Sequence, residues 1–137
     1  MIREEIVAEA LSWLHTPYHH QAGVKGVGVD CVWYLIRVFQ HVGLVDKDFD
    51  PGNYSAEWYL HRHEEIYLAG VERYAHRVEA PQLGDVALYQ HGRCVSHGAI
   101  LIGPDLVIHA SRPDRQVEIV EMRAIEDKFH SFWSAIP

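Results

Sequence analysis

Cys31 is the residue on which chemistry can be built. It follows the run GVKGVGVD, where glycine-rich chain gives way to a long apolar stretch, CVWYLIRVFQHV. A cysteine that opens a helix sits among backbone N–H groups with no intrahelical partner, at the end of the dipole that favours negative charge. Such a thiol is expected to titrate below its usual pKa of ~8.5 and to be a better nucleophile. The glycines before it let a substrate approach the backbone closely. A thiol nucleophile needs a base, and the base needs a partner that orients it. His97, in VSHGAILI, and His109, in LVIHA, answer to both needs. They lie twelve residues apart, on segments that read as consecutive strands around a turn near Gly103-Pro104-Asp105. A connection of odd length puts both side chains on one face, where His109 can bond one nitrogen of His97 and leave the other for the thiol. A connection of even length separates them. Alone, a cysteine on an apolar helix is more often a packing residue, and each histidine alone reads as an ordinary sheet-edge residue. Together the three point to a cysteine hydrolase with Cys31 as nucleophile and His97 as base. Cys94, in the turn HGRCVS, has no such setting and reads as non-catalytic.

These side chains need a helix behind the thiol and a hairpin under the histidines. Ile2, Ile6, Val7, Ala10, Trp13 and Leu14 recur at helical spacing, which predicts an amphipathic helix over 2–14. Thr16-Pro17 stops it, because proline disfavours helix in the preceding residue. Residues 15–30 read as a loop. From Cys31 to Val42 the chain is apolar nearly all round, the pattern of a buried central helix. Asp30 is a suitable N-cap for it and Gly43 a suitable C′ residue. A polar turn region over 46–54 leads to a third helix over 55–69. After Pro81 the pattern changes to strands, Asp85–Tyr89, Val95–Ile102, Leu106–Ala110 and Val117–Met122, with a last short one over Phe132–Ile136. Helices first and consecutive strands afterwards imply an α+β fold, with the buried helix packed on an antiparallel sheet. The 137 residues suffice for one domain, 1–137, with a core that needs no staples.

Composition narrows the partners. The formal net charge of −7 argues against a nucleic-acid binder. The stretch HRHEEIYLAGVERYAHR mixes acids and bases and reads as an exposed face. Trp58, Tyr59 and Tyr67 read as core or cleft-wall residues. Two cysteines make no disulfide framework. A metal could be sought in His19-His20, in His61 and His63, or in a set of Cys31, Cys94, His97 and His109. No C-x-x-C or H-E-x-x-H spacing supports one, so neither metal nor cofactor is expected. The N-terminal MIREEIVAEA lacks the basic and apolar regions of a signal peptide, and no apolar run approaches the ~20 residues of a membrane span. The expectation is a soluble chain made in the cytoplasm, carried elsewhere only by something other than an N-terminal signal.

Four blocks, Asp30-Cys31, Gly84-Asp85, His97-Gly98-Ala99 and His109-Ala110, occur in the order characteristic of one enzyme family. The chain resembles the NlpC/P60 cysteine peptidases, which have a papain-like fold. The stretch HTPYHHQAGVKGVGVDC is most similar to the branch of phage cell-wall peptidases found beside tail-assembly genes. The resemblance spans about residues 5 to 122 and is weakest between 55 and 80. It implies Cys31 as nucleophile, His97 as base and His109 as the orienting third residue. It further implies Tyr18, in TPY, beside the nucleophile to assist the oxyanion or the substrate, and Asp30 as helix cap facing the substrate's amino end. The implied reaction is amide hydrolysis in peptidoglycan stem peptides, commonly next to γ-D-glutamate. The implied partners are the stem peptide and phage tail proteins, with a virion-associated site of action at the cell wall. The family often has Ser-Gly after the cysteine, where this chain has Val32-Trp33. A serine contact to the substrate amine is thereby lost, and the tryptophan must either enter the core or narrow the cleft.

Other readings remain open at this point. The chain could keep the fold without the catalysis, as a tail assembly component, and Val32-Trp33 favours that reading. It could instead be a papain-like amidase or acyltransferase on another substrate, although some of those enzymes place histidine before cysteine.

Overall fold

The computed structural model describes residues 1–55 and 66–137. Trp58, Tyr59, His61, His63 and most of the helix expected over 55–69 lie outside the described residues. Helix α1 spans Ile2–Leu11 and buries Ile6 and Ala10. It ends before the apolar periodicity does. The amides of Trp13 and Leu14 bond back three residues, to Ala10 and Leu11, and His15 then turns left-handed at φ 70°. Trp13 still reaches the core, but from a turn. Two short strands inside the expected loop, β1 (Gly23–Val24) and β2 (Gly28–Val29), pair as a small hairpin.

Helix α2 runs from Cys31 to His41. The Asp30 carboxylate accepts from the amides of Val32 and Trp33 at 3.1 and 2.8 Å, the bonds an N-cap makes. Gly43 follows the helix with φ 81°, where a glycine closes it without a steric penalty. Tyr34, Leu35, Ile36, Val38 and Phe39 are buried, as the all-round apolar pattern requires. Helix α3 covers Ile66–Tyr74.

Strands β3 (His76–Val78), β4 (Val86–His91), β5 (Cys94–Leu101), β6 (Leu106–Ser111), β7 (Gln116–Glu121) and β8 (Phe129–Ser134) form a six-stranded sheet in the order β3-β8-β4-β5-β6-β7. Every neighbouring pair is antiparallel, so the α+β architecture read from the sequence is the one adopted. Asp85 ties this sheet to α1. Its buried carboxylate accepts from Arg3 Nη1 at 2.8 Å and from the Gln82 amide at 2.8 Å, so it is a structural residue of the turn before β4.

The alternation of each strand sorts the sheet into two faces. Val86, Leu88, Ile100, Ile108 and Ala110 pack with the helices in the main core. Ala87, Tyr89, Ala99, Leu101 and Val107 form a smaller cluster on the other side, closed by Val120, Met122, Ile125 and Phe132. A 3-10 segment over Met122–Lys128 supplies part of that cover. Helix α2 comes down on β5 at Gly98. A Cβ there would lie 2.8 Å from Leu35 Cδ1 and 2.8 Å from the Tyr67 hydroxyl, so a side chain at this position would displace both from the contact. Tyr67 is buried at this contact and donates to the Cys31 carbonyl at 3.0 Å, which fixes the first turn of α2.

Candidate active site

The mouth of the site is set by one buried acid. Asp30 is 2% exposed and is satisfied on both oxygens. Oδ1 accepts the two α2 amides, while Oδ2 accepts from the Gln21 amide at 2.7 Å and from the Tyr54 hydroxyl at 2.5 Å. Asp30 therefore binds the loop before the helix, the helix start and residue 54 into one unit. Cys31 follows it as the first helical residue. The Tyr18 hydroxyl lies 4.0 Å from Sγ, and the thiol donates to the Ser96 carbonyl at 3.4 Å.

That carbonyl belongs to a β-bulge. Along β4 and β5, Tyr89 pairs with His97 and Gln90 with Val95, leaving Ser96 as the extra residue. Bulges kink a strand and re-aim side chains, and they are common beside active sites. The β5–β6 ladder is also short, with only Ile100–Ile108 and Leu101–Val107 in register. Residues 102–106 thus connect the last paired positions and form a connection of odd length. His97 and His109 accordingly share a face, offset diagonally by one step, since the register sets Ala99 across from His109. Their rings meet with Nε2 of His97 2.7 Å from Nδ1 of His109. The nitrogen of His97 that remains is Nδ1.

A cleft of about 800 Å³ brings the pieces together. Tyr18, Asp30, Cys31, His97 and His109, the five residues singled out in the sequence, all line it. His91, Arg112, Asp114 and Glu118 line it as well. These four were not foreseen, because only the antiparallel register brings them in: Glu118 stands directly across from His109 in the β6–β7 ladder. Cys94 is fully buried in the main core, so the four-ligand set of two cysteines and two histidines is not assembled. Among the described residues no group of three or more His, Cys, Asp and Glu could hold a metal ion. His20 turns to the Tyr54 carbonyl, 2.9 Å from Nε2. Of the two unusual residues after Cys31, Val32 lines the cleft and Trp33 does not. Trp33 is partly buried against the main core, beside Gly23 and under the Arg37 guanidinium, 4.6 Å from the ring centre, so it packs on the core side and does not line the cleft.

The electrostatics correct one expectation. The Cys31 thiol is not acidified. Burial first and the adjacent Asp30 carboxylate second push it up to about 12, against smaller opposing effects of the Tyr18 hydrogen bond and Arg112. Burial is the main reason, and Asp30, which already accepts the Val32 and Trp33 amides, adds its own negative charge beside the thiol. His97 moves the other way, well below its ordinary value, through burial and then through His109 and His91. Both shifts favour a resting pair of neutral thiol and neutral imidazole.

Buried neutral histidines also tie stability to pH. Burial pulls His109 down to about 4, with Asp114 opposing and His91 adding to the fall. The unfolded chain titrates near ~6.5, so between these values it binds the proton more readily than the folded one. Stability is fully present above ~6.5 and is lost as pH falls toward about 4, by roughly 3 kcal/mol for His109 alone. Urea unfolding at pH 7.5, 5.5 and 4.5 checks this. The parent should lose more than His109→Gln across that range, and equal losses would contradict the assignment.

Comparison with known proteins matches the fold. No curated protein sequence matches the chain. Among solved structures, the NlpC/p60 domain of the peptidoglycan hydrolase SagA superposes with a TM-score of 0.65 at 21% identity, covering 96% of each chain. An NlpC/P60 family protein from Bacillus cereus gives 0.72 at 22% identity, over 98% of this chain and 40% of the other. The peptidoglycan hydrolase RipB from Mycobacterium tuberculosis gives 0.68 at 18% identity, over 97% and 63%. This chain therefore spans less than half of the Bacillus protein and under two thirds of RipB. Among the described residues no helix is long and apolar enough to cross a membrane. The family model for NlpC/P60 matches residues 15–134, from the turn before Tyr18 to the end of β8. The chain belongs to the NlpC/P60 family.

Proposed function

We propose that residues 1–137 act as one catalytic domain, a cysteine peptidase that hydrolyses amide bonds in peptidoglycan stem peptides next to γ-D-glutamate. The observation that carries this reading is a single cleft, in a chain of this family, lined by a helix-opening thiol and a hydrogen-bonded histidine pair. The similar structures described as peptidoglycan hydrolases, SagA and RipB, support the substrate class. In the proposed reaction Cys31 Sγ attacks the amide carbonyl carbon while His97 Nδ1 takes the thiol proton. A neutral pair transfers this proton during attack rather than before it, as general-base catalysis requires. The Tyr18 hydroxyl donates to the developing oxyanion. His97 then gives its proton to the leaving amine, the C–N bond breaks, and a thioester remains on Cys31. Water attacks the thioester with His97 again as base, releasing the acid and restoring the thiol. His109 orients His97 throughout.

The block HTPYHHQAGVKGVGVDC supports the further proposal that this activity is carried by a phage tail, whose proteins bring it to the cell wall. Incubation with purified peptidoglycan and defined stem peptides, followed by mass spectrometry, tests the hydrolase reading. Product pairs that together gain one water, a new carboxyl on one fragment and a new amine on the other from a bond next to γ-D-glutamate, are expected. Intact substrates after prolonged incubation would favour a tail assembly component that keeps the fold without the chemistry.

A further inference from the structure

His109 Nε2 is buried and has no hydrogen-bond partner, although a buried polar group left unpaired is costly. The Glu118 carboxylate faces it across the β6–β7 ladder, with Oε1 3.7 Å away. Ser111 hydrogen-bonds the Glu118 carboxylate, while burial and the neighbouring Asp114 carboxylate raise its pKa; Ser111 Oγ also accepts from the Asp114 amide at 3.2 Å. We propose that Glu118 is a positioning residue that acts through His109 to fix the tautomer of His97; its meaning for catalysis rests on the hydrolase reading above.

The chemistry follows from counting protons. A neutral imidazole has one N–H and one bare nitrogen, and the bond the ring makes on one side decides which nitrogen is which. A carboxylate only accepts, so the nitrogen of His109 that faces Glu118 must be the N–H. Nδ1 of His109 is then bare and accepts from Nε2–H of His97 across the 2.7 Å contact. That leaves His97 Nδ1 bare, the one state in which it can take a proton from the thiol. The reverse tautomers would turn a bare His109 Nε2 toward the carboxylate and put a proton on His97 Nδ1, which disables the base. A small rotation of the Glu118 side chain, 20% exposed, closes the remaining gap to hydrogen-bond distance. Cys31, His97, His109 and Glu118 thus form a four-member relay, in which the last member never touches substrate.

The test reads the tautomers directly, through long-range proton–nitrogen spectra of histidine-labelled protein at neutral pH. In the parent, His97 and His109 should each carry the proton on Nε2. Glu118→Ala should give mixed tautomers on both rings, and Glu118→Gln, whose amide oxygen still accepts, should restore the parent pattern. On a stem peptide, Glu118→Ala should lower kcat about tenfold with KM unchanged, the usual scale for a residue supporting a site from behind, and Glu118→Gln should recover most of it. Unchanged tautomers in Glu118→Ala would overturn the proposal, as would a Glu118→Gln variant no better than alanine. The spectra are taken on the resting protein, so they stand whether or not a stem peptide is cleaved.

Discussion

Cys31→Ala is expected to bring amide hydrolysis to background, a loss of 10⁴-fold or more in kcat, while the fold survives. The size follows from the proposed chemistry: without sulfur no thioester forms, and residues that act as one unit lose nearly everything when any one of them is removed. The fold survives because Cys31 is only partly buried and its hydrogen bond to the Ser96 carbonyl is the modest one of a thiol. Cys94→Ala should show the opposite. Cys94 is 0% exposed in the main core, so its truncation should cost about 1–2 kcal/mol and leave turnover within a few-fold of the parent. Rates of amine release from a stem peptide, set beside urea unfolding midpoints, separate the two cysteines. A Cys31→Ala variant with parental turnover would remove the nucleophile from the account.

Asp30→Ala should be the most destabilising single change near the site, by about 3 kcal/mol or more. It removes a buried acceptor of four hydrogen bonds and leaves the Gln21, Val32 and Trp33 amides and the Tyr54 hydroxyl without it. For a chain of this length that corresponds to a fall of roughly 10 °C in Tm. Asp30→Asn keeps one oxygen for the helix amides and removes the charge. Because that carboxylate raises the thiol, Asp30→Asn should lower the Cys31 pKa even as it weakens the fold. The readout is the rate of iodoacetamide alkylation against pH. In the parent the rate should still be climbing above pH ~9, past the ~8.5 of an ordinary thiol, and in Asp30→Asn the climb should begin lower. A parent thiol that titrates at or below ~8.5 would contradict the electrostatic account.

The contrast between these predictions marks what could be read from the chain. Local signals were strong where local physics decides. Asp30 before an apolar run and Gly43 after it gave the limits of α2 nearly to the residue, whereas the spacing of His97 and His109 left their faces to the length of the connection, which the ladder shows to be odd. Short elements were missed. β1 and β2 are two residues each, β3 is three, and none is long enough to show alternation. Long-range effects were missed for a different reason. Glu118 shows no motif, and it reaches the site only because β7 pairs with β6 in one register. A helix N-terminus favours an acidic thiol, but the sequence does not show that the folded chain buries Cys31, nor that the capping Asp30 carboxylate lies close enough to oppose a second negative charge. Trp33 was uncertain because a sequence does not show which side of a helix faces a cleft. Its place under Arg37 is set by the approach of the β1–β2 hairpin at Gly23.

The central claim is that Cys31 attacks a stem-peptide amide, and one measurement addresses it most directly: mass spectrometry of a single defined stem peptide containing γ-D-glutamate, incubated in parallel with the parent and with Cys31→Ala. The account predicts two fragments from the parent, summing to the substrate plus one water and cut at a bond next to γ-D-glutamate, and intact peptide from the variant. The same fragments from both proteins, or intact peptide from both, would contradict it.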